Sequence, residues 1–396
     1  MKRFIFLLVL LFFLTAVILV PSGTAHAKSI EEDIEKEINE EVEKGLNDLV
    51  TSDIENFFAA LENAAKYNFG TTFKEVVKRI INGDPIDSKI FFNLISGAIK
   101  ENIATIIASL VSIITLSILY GMAKNLSSGF VKESTSQVIY YAVYGAIIAT
   151  LCYIVNGAII SAKAVISSVS GLVQVVFPVL LTLVTALGGA ASAAAYQPII
   201  LIFTNVVVRV IELVIMPMFY ATIVFSIIGN LTTNIKLEKL TSAIKSTANW
   251  TLGIMFGLII TLLSAQGIVG ASIDTVGVKS AKFALSSYVP ILGGYLSDGF
   301  DIVMASAVLL KNATGLAAVI ILFLVILAPV IKIAVLTLML RLTAGIIEPI
   351  ADSRISNLLY SVSKNLSILI SIVLGMAFLV FGLLMLIIYT FNPGVA

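Results

Sequence analysis

Arg209 and Glu212 stand three residues apart inside an apolar stretch, residues 199–229, that carries no other charge. That spacing puts an acid and a base on one helix face, where they can pair. Charges within an apolar helix are costly and ordinarily face a bundle interior or a wet path. Two roles fit the pair: an ion pair that fixes helix packing, or a lining for a solute or ion. Lys332 follows Pro329 in another apolar stretch. It is either a second lining charge or a side chain that snorkels to an interface. Asp298 and Asp301 flank Gly299. Two carboxylates so close suit a bound cation or a proton relay, and a solvated turn suits them with less special pleading.

Other chemistry is missing. His26 is the only histidine and Cys152 the only cysteine. No disulfide forms within one chain, and the ligands of an ordinary Cys/His metal site are absent. There is no phosphate-binding G-x-x-x-x-G-K-[ST] loop, no basic patch with interleaved aromatics for nucleic acid and no cofactor motif. The residue inventory predicts a protein that is not an enzyme, without catalytic residues, metal or cofactor. An intramembrane enzyme would depend on Asp298 and Asp301.

The elements that hold these residues follow from composition. The chain has 396 residues, 59% apolar and only 12% charged, with mean hydropathy +1.05. Ordinary globular domains have about twice that share of charge. A soluble globular enzyme is excluded, and the expected fold is an all-α polytopic membrane protein with six to eight membrane segments. Clear spans of the required length are read at 103–122, 138–160, 199–229, 247–269, 316–340 and 366–391. Two further apolar segments, 172–195 and 283–310, are interrupted by Gly and Pro. They suit either re-entrant or plain spanning helices. Pro178, Pro217, Pro290 and Pro329 are the expected helix breaks.

An internal duplication is read from order and spacing. Pro178 and Pro290 are 112 residues apart, as are Pro217 and Pro329, and Leu252-Gly253-x-x-Phe256 recurs as Leu374-Gly375-x-x-Phe378. Paired broken helices of this kind are a transporter-like layout. The domain reading is a signal peptide at 1–27, an acidic extracytoplasmic helical region at 28–101, two transmembrane helices at 102–160, and repeats at 161–270 and 271–396. With both broken segments re-entrant, basic residues of the loops divide eight inside to four outside. With both spanning, they divide seven to five.

Lys2 and Arg3, an apolar run from Phe4 to Val20 and Ala25-His26-Ala27 make the signal peptide. Beyond it, Ile30, Ile34, Ile38, Val42 and Leu46 recur every fourth residue, followed by Leu49, Ile54, Phe57 and Leu61. Glutamates hold the other sides. This face covers the chain's own bundle or docks a partner. Asn82-Gly83-Asp84-Pro85 marks a turn.

The chain resembles the stage III sporulation protein AE family of endospore-forming bacteria. The residues that carry the resemblance are Gly188-Gly189-Ala190-Ala191-Ser192-Ala193 with Gln197-Pro198-Ile199-Ile200, then Ser264-Ala265-Gln266-Gly267, Lys279-Ser280-Ala281-Lys282-Phe283, Tyr288-Val289-Pro290-Ile291-Leu292-Gly293 and Ala307 through Gly315. The resemblance implies a multi-pass protein of the mother-cell membrane around the forespore. It implies membership of a channel complex joining the two cells and supporting forespore development after engulfment. The implied partners are other stage III sporulation proteins, including an ATPase and ring-forming proteins, and stage II sporulation protein Q, besides the lipid bilayer. The rival reading is a secondary transporter or permease for a small solute or ion.

Overall fold

In lipid no water is available to the main chain, so a spanning segment must satisfy its N–H and C=O groups within itself. The computed structural model describes residues 41–46, 52–65, 72–84, 88–127, 133–231, 237–288 and 293–390. Among them all regular structure is helical. The signal peptide, the run from Ile30 to Ile38, Leu49 and Pro290 lie outside the described residues.

Two short helices, α1 (Ser52–Ala65) and α2 (Phe73–Ile81), precede the long ones. α3 (Ser88–Ser127) and α4 (Glu133–Ala186) follow. α5 (Ala190–Ile202) passes through two π-helical turns, Phe203–Val207 and Ile211–Ile215, into α6 (Met216–Leu231). Then come α7 (Glu238–Tyr288), α8 (Gly293–Ile347), α9 (Ser353–Asn365) and α10 (Ser367–Tyr389). Five stretches are long and apolar enough to cross a membrane, and Ile106–Met122 of α3 is a shorter apolar helix.

The direction of each pass follows from what its ends touch. At one end, here the lower, Tyr144 donates to the Ile227 carbonyl at 2.8 Å, and Tyr140 to that of Asn230 at 3.4 Å. Arg354 lies 3.7 Å over the Tyr140 ring and is paired with Asp352 at 3.0 Å. Gly121 packs on the Ile350 carbonyl so closely that a Cβ would collide with it. Lys245 donates to the Lys364 carbonyl and, at 2.9 Å, to Ser367. At the upper end Tyr196 meets Thr390 at 2.6 Å, Gly315 backs onto Ile388, and Leu187 packs with Met304. The six passes α3, α4, α5–α6, α7, α8 and α9–α10 therefore alternate, with α3 running downward and α10 upward.

This arrangement places both interrupted segments. Residues 172–195 are the top of α4, a turn and the start of α5. Of residues 283–310, the described ones are the top of α7, 283–288, and the start of α8, 293–310. Neither forms a hairpin of its own. The upper turn is a Schellman motif: Gly188 at φ 90° donates to the Thr185 carbonyl at 2.9 Å, and Gly189 to that of Val184 at 2.8 Å. Only glycine takes that backbone conformation without strain. Gly83, at φ 71°, ends α2 in the same way.

Pro178 and Pro329 do not break their helices, contrary to the expectation from the ring's missing N–H. α4 and α8 run through them unbroken. Each ring removes one main-chain bond, and the buried neighbours Val176, Phe177 and Leu180, or Ile326 and Ile333, hold the helix across the gap. The domain limits at 101/102, 160/161 and 270/271 likewise fall inside continuous helices. α4 has 54 residues, about 80 Å at 1.5 Å per residue. A bilayer core is only about 30 Å thick, so the upper ends of the long helices stand clear of it.

The N-terminal helices pack on those upper ends. Val42, Leu46, Ile54, Phe58 and Leu61 are buried, while Glu41 and Glu43 are exposed. Gly45 sits against Leu310 of α8, and the Phe57 ring lies on Gly171 of α4, where a Cβ would come within 2.6 Å. The apolar faces of residues 41–46 and 52–65 cover the chain's own bundle.

Candidate functional site

α10 fixes the depth scale. It is 23 largely apolar residues long, about 35 Å, close to the thickness of a bilayer core, so its two ends serve as the reference levels for depth. Its lower edge is tied by the buried Asn365, which donates to the Thr222 carbonyl at 3.2 Å and to Ser226 at 2.9 Å. Its upper edge is tied by Tyr196 and by Lys311. Lys311 is wholly buried and donates to the Thr390 carbonyl at 2.6 Å. A cation at the carbonyl end of a helix also meets the negative pole of its dipole. Thus the Lys311-Asn312-Ala313-Thr314-Gly315 motif closes the top of the last helix.

Arg209 lies thirteen residues from Tyr196 and thirteen from Thr222 (209 − 196 and 222 − 209), which is mid-depth. Both Arg209 and Glu212 are exposed on the outside of the bundle, and no ion pair joins them. They do not line an interior path of the single chain. Asn205 and Gln197 are exposed on the same composite helix, Asn205 donating to the Leu201 carbonyl at 3.0 Å. The row leads upward into an open hollow of about 590 Å³ between α4 and α5, with Thr182, Thr185 and Gln197 on its rim.

The two π turns bracket Arg209 and include Glu212. Met216 donates five residues back to Ile211 rather than four back to Glu212. The residue five beyond Glu212 is Pro217, which has no N–H. The Glu212 carbonyl therefore lacks both regular helical donors, which adds an acceptor beside the carboxylate. Pro217 thus removes a main-chain bond, but the chain stays helical through it from Ala190 to Leu231. π turns inside α-helices are frequent at functional positions.

The other expected residues fall elsewhere. Lys332 is half-buried on α8, twenty-one residues below Lys311 (332 − 311), about 30 Å and so near the lower level. Asp301 is exposed ten residues above Lys311 (311 − 301), about 15 Å beyond the upper edge. Asp298 and Asp301 lie on one continuous helix, one turn apart, and not in a turn. The structure does not bring Arg209, Glu212, Lys332 and Asp301 together. The polar contact that sequence reasoning missed is Tyr196, Lys311 and Thr390, whose members are up to 194 residues apart.

The family model described as stage III sporulation protein AE matches residues 71–390. This chain belongs to the stage III sporulation protein AE family. A curated relative, stage III sporulation protein AE of Bacillus subtilis (strain 168), is 29% identical over 279 residues, covering 70% of each chain. No solved structure matches. The family match takes in α2 and all six passes, with the polar row and the Lys311 closure inside it, and leaves α1 outside.

Proposed function

We propose that this protein is a non-enzymatic membrane component of the sporulation channel complex between mother cell and forespore, required after engulfment. The observation that carries the reading, beyond family membership, is the placement of charge. Among the described residues the main core is an apolar cluster running from Val42 to Ile387, and the mid-depth charges Arg209 and Glu212 point outward. Such a chain is built to complete its polar surface against other chains. A stand-alone carrier would turn those charges inward.

The joins after Ser127, Leu231 and Ile347 are all at the lower end, and the excess of basic residues around them supports the reading that this end faces the mother-cell cytoplasm. The N-terminal helices and the tops of α4, α7 and α8 then stand in the intermembrane space. That layer is where the ring-forming stage III proteins and stage II sporulation protein Q would dock, with the ATPase below. The signal peptide at 1–27 is expected to be removed there.

One observation favours the permease layout as an origin. α7 and α10 run side by side in the same direction, and the Leu-Gly-x-x-Phe sequence of each meets the other where Phe256 packs on Gly375. Two repeats in parallel orientation, 161–270 and 271–396, account for this.

Deleting the gene in its endospore-forming host tests the channel reading. Sporulation should stop after engulfment, with loss of heat-resistant spores and of late forespore gene expression. Normal heat-resistant spores would overturn it. Uptake of a solute by the purified chain alone in liposomes, lost on Arg209→Ala, would favour the permease.

A further inference from the structure

A lone copy of this chain would hold two opposite charges against lipid tails at mid-depth. Intramembrane charges are not left so; they are paired or watered. Arg209 and Glu212 lie on the outside of α5–α6, with Asn205 above them on the same helix. Of the five apolar stretches among the described residues, that of the adjoining α7 is the least buried: 17% in Glu238–Leu262, against 56% in Ser353–Tyr389. On α7, Gly253 and Gly257 are exposed with nothing within 4 Å of where a Cβ would stand. A glycine pair four residues apart lets a second helix approach closely. The outward face of α5–α7 thus has the contour and the polarity of a helix interface, with no helix on it among the described residues.

We infer that the occupant is a second copy of this chain, with Arg209 of one copy paired to Glu212 of its neighbour. The charges decide this. One face carries both signs, three residues and so about 4.5 Å apart along the axis. Every copy enters the membrane in the same orientation, so neighbouring copies present this face at the same depth. Arg209 then reaches diagonally to the other copy's Glu212, as flanking charges do in paired helices. The Glu212 carbonyl, which lacks its helical donors, offers the incoming guanidinium a further acceptor. With the hollow above, the row of Thr182, Thr185, Gln197, Asn205, Arg209 and Glu212 becomes a polar seam between copies from the upper edge to mid-depth.

The inference rests on geometry and stands apart from the channel reading, so its test reads cross-linking and not sporulation. In a full-length Cys152→Ser background, Leu213→Cys supplies a thiol on this face, where Leu213 is 67% exposed. Ile160→Cys on α4, 59% exposed, is the control. Oxidation in native membranes should give a disulfide-linked dimer of the chain from Leu213→Cys and not from Ile160→Cys. Arg209→Glu alone or Glu212→Arg alone should lower the yield about tenfold or more, since like charges then face each other. Co-expressed with separate tags, those two variants should cross-link to each other. The double exchange, Arg209→Glu with Glu212→Arg, should restore the homogeneous dimer, which also shows that the altered helix folds. Absence of a dimer from Leu213→Cys overturns the inference. So does a cross-link to a different protein, a yield indifferent to the charges, or failure of the mixed pair.

Discussion

The ring of Phe256 on α7 lies directly on the backbone of Gly375 on α10, where a Cβ would collide with the ring. No such neighbour lies over Gly253, the matching glycine of α7. One of the two Leu-Gly-x-x-Phe sequences therefore supplies the ring and the other the gap. Gly375→Ala should destabilise the protein by about 1–3 kcal/mol through overpacking. Phe256→Ala should recover part of that loss when combined with it. Thermal unfolding in detergent as a double-mutant cycle checks the coupling, and simple additivity would show that the two residues do not meet.

Lys311 and Thr390 make the corresponding closure at the upper edge. Replacing Lys311 with Met keeps most of the stem and removes the donor. The Thr390 carbonyl is then buried without that partner, a loss of about 1–3 kcal/mol. The expected readout is faster amide exchange in the last turn of α10, around Leu386 to Thr390. Exchange in the turns near Asn365 should be unchanged, because that end is held by Thr222 and Ser226.

Glu43 accepts from the Lys78 ammonium at 2.5 Å, which ties residues 41–46 to α2. The hydrogen bond and the charge of Lys78 hold the Glu43 carboxyl below its ordinary value of 4.5. Because the folded-state value is lowered, this contribution is present above pH 4.5 and is lost as pH falls through the folded value. Both side chains are largely exposed, so the effect is small and weakened by salt. A carboxyl titration should place Glu43 below 4.5 in the native chain and return it to the ordinary value in Lys78→Met.

Much of the architecture was legible because lipid imposes simple rules. Runs of about 20 apolar residues gave the five stretches long enough to cross a membrane and the shorter apolar helix Ile106–Met122. Asn82-Gly83 and Gly188-Gly189 gave two helix ends, since only glycine fits the left-handed positions there. The apolar recurrence that ends in Val42 and Leu46 and goes on through Ile54 and Leu61 gave the face that covers the bundle. Helix lengths were not legible, because an apolar run does not show where lipid stops and packed protein begins. Pro178 and Pro329 misled for a related reason: a helix held by neighbours survives the loss of one main-chain bond. The outward aim of Arg209 and Glu212 was hidden as well. Their helix carries polar residues on both sides, exposed Gln197 and Asn205 and buried Ser192, Thr222 and Ser226, so no single polar face shows which side is buried. The role of Lys311 was not legible because its partner Thr390 is 79 residues away in sequence.

The placement of Arg209 and Glu212 at mid-depth depends on six alternating crossings, and cysteine accessibility tests that most directly. In a Cys152→Ser background, Lys239→Cys at the foot of α7 and Lys163→Cys on the upper part of α4 are both exposed positions. An impermeant maleimide added to intact cells should label Lys163→Cys, and should reach Lys239→Cys only after the membrane is opened. Labelling of both from the same side would contradict the six-crossing arrangement and, with it, the mid-membrane position of the charged face.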